Sequence, residues 1–294
     1  MKRSEYEKTE DYNKSLYLLM TFIEEELGGD IDALQTLCFE DINDEFVGNI
    51  NDPDMYLITQ AIYIILWGHI YDLTFDKMGP WDRNGTYAFR GDTMNSFGSI
   101  FGKEGNGNAF AYRAMYFGAD KNTELWQKIR EFHRMYHRLG NFIVLPNRAS
   151  VRNGINGARA QYRTGMRDYF DWFLLSVACY QNKVKLGDIN FNKFEIQLHK
   201  NPEYNPLFLD ISDWEERFFL KHYFKDGKPA LLYKTPLGRR LLITTTLENR
   251  RGENYYQDGE YLDIMEDYIN KAEAVIAFRT NKMVDCLKEK LMKE

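Results

Sequence analysis

Apolar positions along this chain recur mostly at helical spacing. From about Asn13 to Leu27, the residues Leu16, Leu19, Met20, Ile23 and Leu27 form one broad stripe, which Gly28-Gly29 stops. Asp30 is placed to cap a short helix through about Phe39. Asp52-Pro53 reads as an N-cap followed by proline in the first turn, opening a helix to about Trp67. A strong helix is predicted from about Thr123 to Leu139, where Leu125, Ile129, Phe132, Tyr136 and Leu139 advance by alternating fours and threes. Gly140-Asn141 ends it, and Phe142 to Leu145 reads as a brief strand stopped by Pro146. Further helices are predicted over Gly165 to Val184, Trp214 to Phe224 (capped by Ser212 or Asp213) and Tyr261 to Leu291.

Other stretches lack that period. Between Gly79 and Asn108 six glycines punctuate the chain in an order that is neither a dinucleotide fingerprint nor a P-loop, so short helix alternating with loop is expected. Arg90-Gly91-Asp92 lies within it and reads as a turn with salt bridging, or as a functional loop. Phe191 to Leu198 shows partial strand alternation, and Ala230 to Tyr233 with Arg240 to Thr246 suggests a small hairpin around Pro236-Leu237-Gly238. The expected fold is mainly α: a single irregular helical domain over residues 1–294, with a small β-hairpin subregion at 188–250 and an α+β arrangement as the alternative.

Composition narrows the class. At 44% hydrophobic and 15% aromatic the chain can fill a substantial core, which excludes global disorder. The apolar run Met55 to Trp67 contains Gln60 and falls short of the roughly 20 residues a bilayer span needs, so it reads as a core helix and no membrane partner is expected. The charged start MKRSEYEKTEDYNKS lacks the apolar centre of a signal peptide. Cys38, Cys179 and Cys286 are scattered, without a CxxC pair, which fits a reducing, cytoplasmic compartment; Cys179 reads as a buried small residue. Self-association is left open, since no heptad seam stands out.

Net charge is −6, but it is unevenly spread. Between Lys121 and Phe170 ten basic residues face three acidic ones, so the remainder carries −13. If 158–167 is helical, Arg159, Arg163 and Arg167 align and could clamp phosphates through their guanidinium forks, with Arg90 as a further phosphate contact. DNA, RNA or a phosphorylated small molecule is the partner class this implies. The bland alternative is a solvated ridge paired with carboxylates.

The segment HRMYHRLGNFIVLPN, His133 to Asn147, carries the densest chemistry. His133 and His137 are four apart and would share one helix face. Two imidazoles at that spacing can share a metal, but the glutamate of HExxH is missing, so no metal ligands are assigned and a divalent ion is kept only as the alternative to no cofactor. His137, His69 and Asp92 are the candidate catalytic residues. His133, Asn141, Asn147 and Asn153 are candidate polar support, although asparagines also order loops through backbone bonds alone.

Tyr136-His137-Arg138-Leu139-Gly140-Asn141-Phe142, with Leu145 and Asn147, is similar to the H-x-L-G-N-L-x-L-L…N segment of certain restriction-associated proteins. Those proteins carry a His-Asn-His-type nuclease domain in their C-terminal half. Ile276-Ala277-Phe278-Arg279, followed by Met283 and Leu287, resembles the I-x-x-R closing helix of that domain. Together these cover roughly a quarter of the chain. The family's Asp/Glu-His-Ile-x-Pro element has its nearest match in Gly68-His69-Ile70-Tyr71-Asp72, without the preceding acid or the proline. The resemblance implies His69 as base and His137 or Asn153 in the metal or phosphate environment. A looser likeness joins the R-G-D-T-x-N-S-F and H-x-x-G-N-F stretches to uncharacterised bacterial proteins, and implies no activity.

Three functions therefore follow from the sequence. One is binding of nucleic acid or another phosphorylated ligand. Another is hydrolysis, nuclease-like and in intact or degenerate form, or catalysis on a small acidic substrate with Arg90, Asp92 and His137 lining a pocket. The last is a structural or protein-interaction role without catalysis.

Overall fold

A computed structural model describes residues 2–48, 52–78, 89–95, 124–135, 137–146, 170–182, 211–233 and 259–293. In chain order the helices are α1 (Arg3–Tyr6), α2 (Glu10–Glu26), α3 (Asp44–Val47) and α4 (Leu57–Tyr71), after which β1 (Phe89–Thr93) follows. Next come α5 (Glu124–Met135), β2 (Phe142–Pro146), α6 (Phe170–Asn182) and α7 (Ser212–Arg217). The two-residue strands β3 (Phe224–Lys225) and β4 (Lys228–Pro229) precede α8 (Gly259–Leu291). The protein is mainly α with two small antiparallel two-stranded sheets. Among the described residues no helix is long and apolar enough to cross a membrane.

The chain divides into two compact units. The first comprises Met1–Thr93, His137–Gly157 and Ile276–Glu294; the second comprises Met94–Tyr136 and Ala158–Val275.

In the first unit α4 is the core. Its residues from Ile58 to Gly68 are all buried, as expected of a helix that is apolar on every side. α1, α2 and α3 pack on it. Thr9 caps α2 by accepting from the Tyr12 N–H, and Glu10 and Asp11 in the first turn suit the positive end of the dipole. The buried stripe is Tyr12, Leu16, Leu19, Phe22 and Ile23; Met20, expected inside, is exposed. Asp30 caps the following 3-10 turn through the Asp32 N–H, as its position suggests.

The start of α4 differs from expectation. Asp52 makes no side-chain cap, and Pro53–Met55 forms a 3-10 turn that breaks at the extended Tyr56 before the helix begins at Leu57. Three α4 side chains then satisfy three successive carbonyls of that turn. Thr59 Oγ1 donates to Pro53 O (2.8 Å), Tyr63 Oη to Asp54 O (3.0 Å) and Gln60 Nε2 to Met55 O (2.8 Å). A polar residue inside an apolar run thus has a structural duty.

Arg90-Gly91-Asp92 is strand, not turn. β1 pairs antiparallel with β2, in a register running from Phe89 opposite Pro146 to Thr93 opposite Phe142. Every residue of β2 is buried, while β1 alternates buried Phe89, Gly91 and Thr93 with half-buried Arg90 and Asp92. Pairing with β2 on one edge, and the Gly91 N–H donating to Met55 Sδ on the other, engage the backbone of an RGD sequence that its glycine marks as loop.

In the second unit α6 presents Phe170, Phe173, Leu174 and Val177 to the interior. Cys179 is buried beside them, and burial pushes its thiol up, as expected of an inert residue. α7 begins at Ser212 without a side-chain cap and stops at Arg217; Phe219 then adopts φ 57°, so the predicted helix to Phe224 is cut short. The described hairpin is β3–β4, turned by Asp226 and Gly227 at φ 51° and 70°. Ala230 to Tyr233 is not a strand, and 240–246 and 191–198 lie outside the described residues.

Candidate functional site

A cluster of charge lies within the first unit where β1 meets the Pro53–Met55 turn. Gly91 sets the approach. A Cβ there would stand 2.1 Å from the Asp54 carbonyl oxygen and 2.7 Å from Tyr63 Oη, so only glycine admits the turn this close. The Gly91 N–H donates to Met55 Sδ at 2.8 Å. On either side Arg90 and Asp92 share one face of the strand, because side chains two apart point the same way.

Arg90 Nη2 donates to Asp52 Oδ2 at 2.9 Å. Asp54 is 5% exposed, and its Oδ1 has no hydrogen-bond partner among the described residues. Burial drives the Asp54 carboxyl well above the usual carboxylate range; the charges of Asp52 and Asp92 and a hydrogen bond to Asp52 add to this, and Arg90 opposes it. Burial, then Asp54, likewise lifts the Tyr63 phenol, against the opposing charge of Arg279. Burial works against the Arg90 charge but is outweighed by Asp54, Asp92 and Asp52. Three carboxyls, those of Asp52, Asp54 and Asp92, are therefore set against the single guanidinium of Arg90.

Arg279 is fully buried on α8, within the part of that helix assigned to the first unit. Its Nη1 donates to the carbonyls of Gly140 and Phe142. The next residue, Thr280, accepts from the Gly140 N–H at 3.0 Å and donates to Ile276 O at 2.7 Å. A Cβ on Gly140 would meet Ile276 O at 2.0 Å. The Leu139–Asn141 3-10 turn is thus clamped on both its N–H and its C=O sides.

The helix carrying His133 ends at Met135, and His137 lies in the turn that follows, so the shared helix face expected of the two histidines does not form. His137 is 8% exposed; its Nδ1 stands 2.6 Å from Glu40 Oε1, a charge contact rather than an aligned hydrogen bond. Its carbonyl accepts from the Phe39 N–H at 3.0 Å, and its ring lies 6.4 Å from that of Phe142. A carboxylate against imidazole fixes the ring's orientation, which suits either a structural anchor or an oriented base.

Of the other residues singled out by sequence, His69 is half-buried near the end of α4 and Asn141 is fully buried. Arg90 and Asp92 meet in the carboxyl cluster, whereas His133 belongs to α5 in the second unit. Asn147, Asn153, Arg159, Arg163 and Arg167 lie outside the described residues. Among the described residues no three His, Cys, Asp or Glu side chains are grouped as a metal would require.

Sequence reading passed over Asp54, Glu40 and Arg279 as site residues. Arg279 had a visible signal: with Ile276, Met283 and Leu287 it sits on the apolar stripe of α8, where a solvated arginine does not belong. Asp54 had none, because its burial comes from Gly91 in a distant segment.

What the fold and cluster define is a mainly helical protein with a buried carboxylate–guanidinium network. Compared with protein-family models, curated proteins and solved structures, the chain matches none of them.

Proposed function

We propose that the chain binds nucleic acid, with recognition carried by the basic run between Lys121 and Phe170. One observation carries this reading: ten basic residues against three acidic ones between Lys121 and Phe170, in a chain of net charge −6. What supports binding by that run rather than chemistry at Arg90 or His137 is that Arg90 is engaged with Asp52 and His137 with Glu40. The likeness of the Gly140-Asn141 and Ile276-to-Arg279 segments to nuclease domains points to the same ligand class.

The test is fluorescence anisotropy of the full chain with labelled single- and double-stranded DNA and RNA across a salt series. Changing Arg159 and Arg163 together to Ala weakens binding and reduces the slope of log K against log salt by about 1.4–1.8, the value for two lost phosphate contacts. No binding at low salt, or an unchanged slope in the double variant, overturns the reading.

Hydrolysis is the second reading, favoured by the Glu40–His137 contact. It requires turnover of bis(p-nitrophenyl) phosphate, with and without Mg²⁺, that His137→Gln abolishes while DNA binding persists.

A further inference from the structure

Beyond any ligand, the Asp52–Asp54 pair sits at a mechanical junction. The Pro53–Met55 turn is held from one side by α4 and from the other by β1. Its contact with β1 has no slack, since Gly91 lies against Asp54 O with no room for a single methyl group. The groups facing Asp54 can be named element by element. Asp52 precedes it in the same segment, β1 supplies Arg90 and Asp92, α4 supplies Tyr63, and α8 supplies Arg279, which acts on Tyr63. The 3-10 turn Phe39–Asp41, which also touches this segment, brings Glu40, itself against His137, and Asp41.

Asp54 lies beside Asp52, and its Oδ1 accepts no hydrogen bond from the described residues. Ionised, it would add a third negative charge beside a single strand guanidinium, in a place water does not reach. Protonated, its O–H has an acceptor at hand in Asp52, whose other engagement is with Arg90. We propose that Asp54 keeps a proton and donates it to Asp52, and that this shared proton pins the Pro53–Met55 turn to β1, so that the turn loosens as pH rises above the ordinary carboxylate range.

The chain Asp54 to Asp52 to Arg90 then runs from the buried turn to the half-buried face of β1. Asp52 is partly open to solvent, which gives the proton a route out. The acid is held tighter in the closed junction than in the open one. Opening therefore becomes easier between the ordinary carboxylate range and the pH at which the closed junction gives up its proton, and levels off above that.

The test is hydrogen exchange of the full chain, following peptides over 52–60 and 89–93 from about pH 4 to about pH 9, with intrinsic base catalysis divided out. In the wild type the opening equilibrium rises by up to about tenfold per pH unit within that window. Asp54→Asn, whose amide donates to Asp52 at every pH, shows a flat profile. Asp52→Asn lowers the pH at which Asp54 ionises in the closed junction, so its rise ends earlier, and this comparison decides the matter even if Asp54→Asn does not fold. A flat wild-type profile, a parallel rise in Asp54→Asn, or an Asp52→Asn profile identical to wild type overturns the proposal.

Discussion

Arg279 donates to the carbonyl oxygen of Phe142 at 3.0 Å, tying a residue near the end of the chain to the first residue of β2. The same nitrogen reaches Gly140 O, so one fully buried guanidinium serves two carbonyls of the turn that leads into the strand. Replacing Arg279 with Met removes both donors in a site closed to water. The expected loss is about 3–5 kcal/mol in urea unfolding. Arg279→Lys restores at most one bond and falls between. A Met variant as stable as wild type would show that the carbonyls find other donors.

Gly91 and Gly140 are expected to reject even alanine. Both added Cβ atoms would stand about 2 Å from a backbone oxygen, an atom that cannot swing aside as a side-chain tip can. Each substitution should cost about 1–3 kcal/mol or more in thermal or urea unfolding. Equal stability of Gly91→Ala and wild type would mean that β1 lies farther from the Pro53–Met55 turn than described.

Asp171 gives the second unit its own pH dependence. Its carboxylate accepts from the backbone N–H groups of Leu232 (2.9 Å) and Tyr233 (3.2 Å), and from that of Trp172. Burial nonetheless outweighs those donors and raises its pKa to about 6. A group raised in the folded state contributes stability that is full below its unfolded pKa and is lost as pH rises through the folded one. The wild type should therefore lose up to about 3 kcal/mol relative to Asp171→Asn between about pH 4 and about pH 7. A stability difference that stays constant across that range would contradict the assignment.

Glu40 and His137 should behave as one unit. Each of Glu40→Gln and His137→Gln is expected to cost about 1–3 kcal/mol. The double variant should fall short of the sum by about 1 kcal/mol or more. Strict additivity in urea unfolding would show that the 2.6 Å contact does not couple them.

Periodicity made the helices legible, and the reasons are visible in particular residues. The α2 stripe, the Gly28-Gly29 stop with φ 60° and 85°, the core run around Gln60 and the brief strand before Pro146 all follow from local pattern. The boundaries that moved did so for tertiary reasons. Asp52-Pro53 reads as the start of a helix, yet β1 takes Asp52 through Arg90, and the turn breaks at Tyr56 before α4 begins. Arg90-Gly91-Asp92 reads as a turn with salt bridging or a functional loop; the salt bridge forms, but the glycine marks a close approach between segments some 36 residues apart. Asp226-Gly227 is itself a two-residue hairpin signal in the sequence, while Pro236-Leu237-Gly238 lies outside the described residues. The carboxyl cluster could not be foreseen, since its members come from distant segments that only folding brings together.

The first unit is assembled from the beginning, the middle and the end of the sequence. During synthesis its apolar central helix emerges well before Arg279 and Thr280, the residues that lock the turn before β2. Until they emerge, the apolar faces of the first unit have no closing partner, the condition under which partly made domains aggregate. Release of truncated polypeptides ending before Ile276 should yield aggregates in place of a folded first unit.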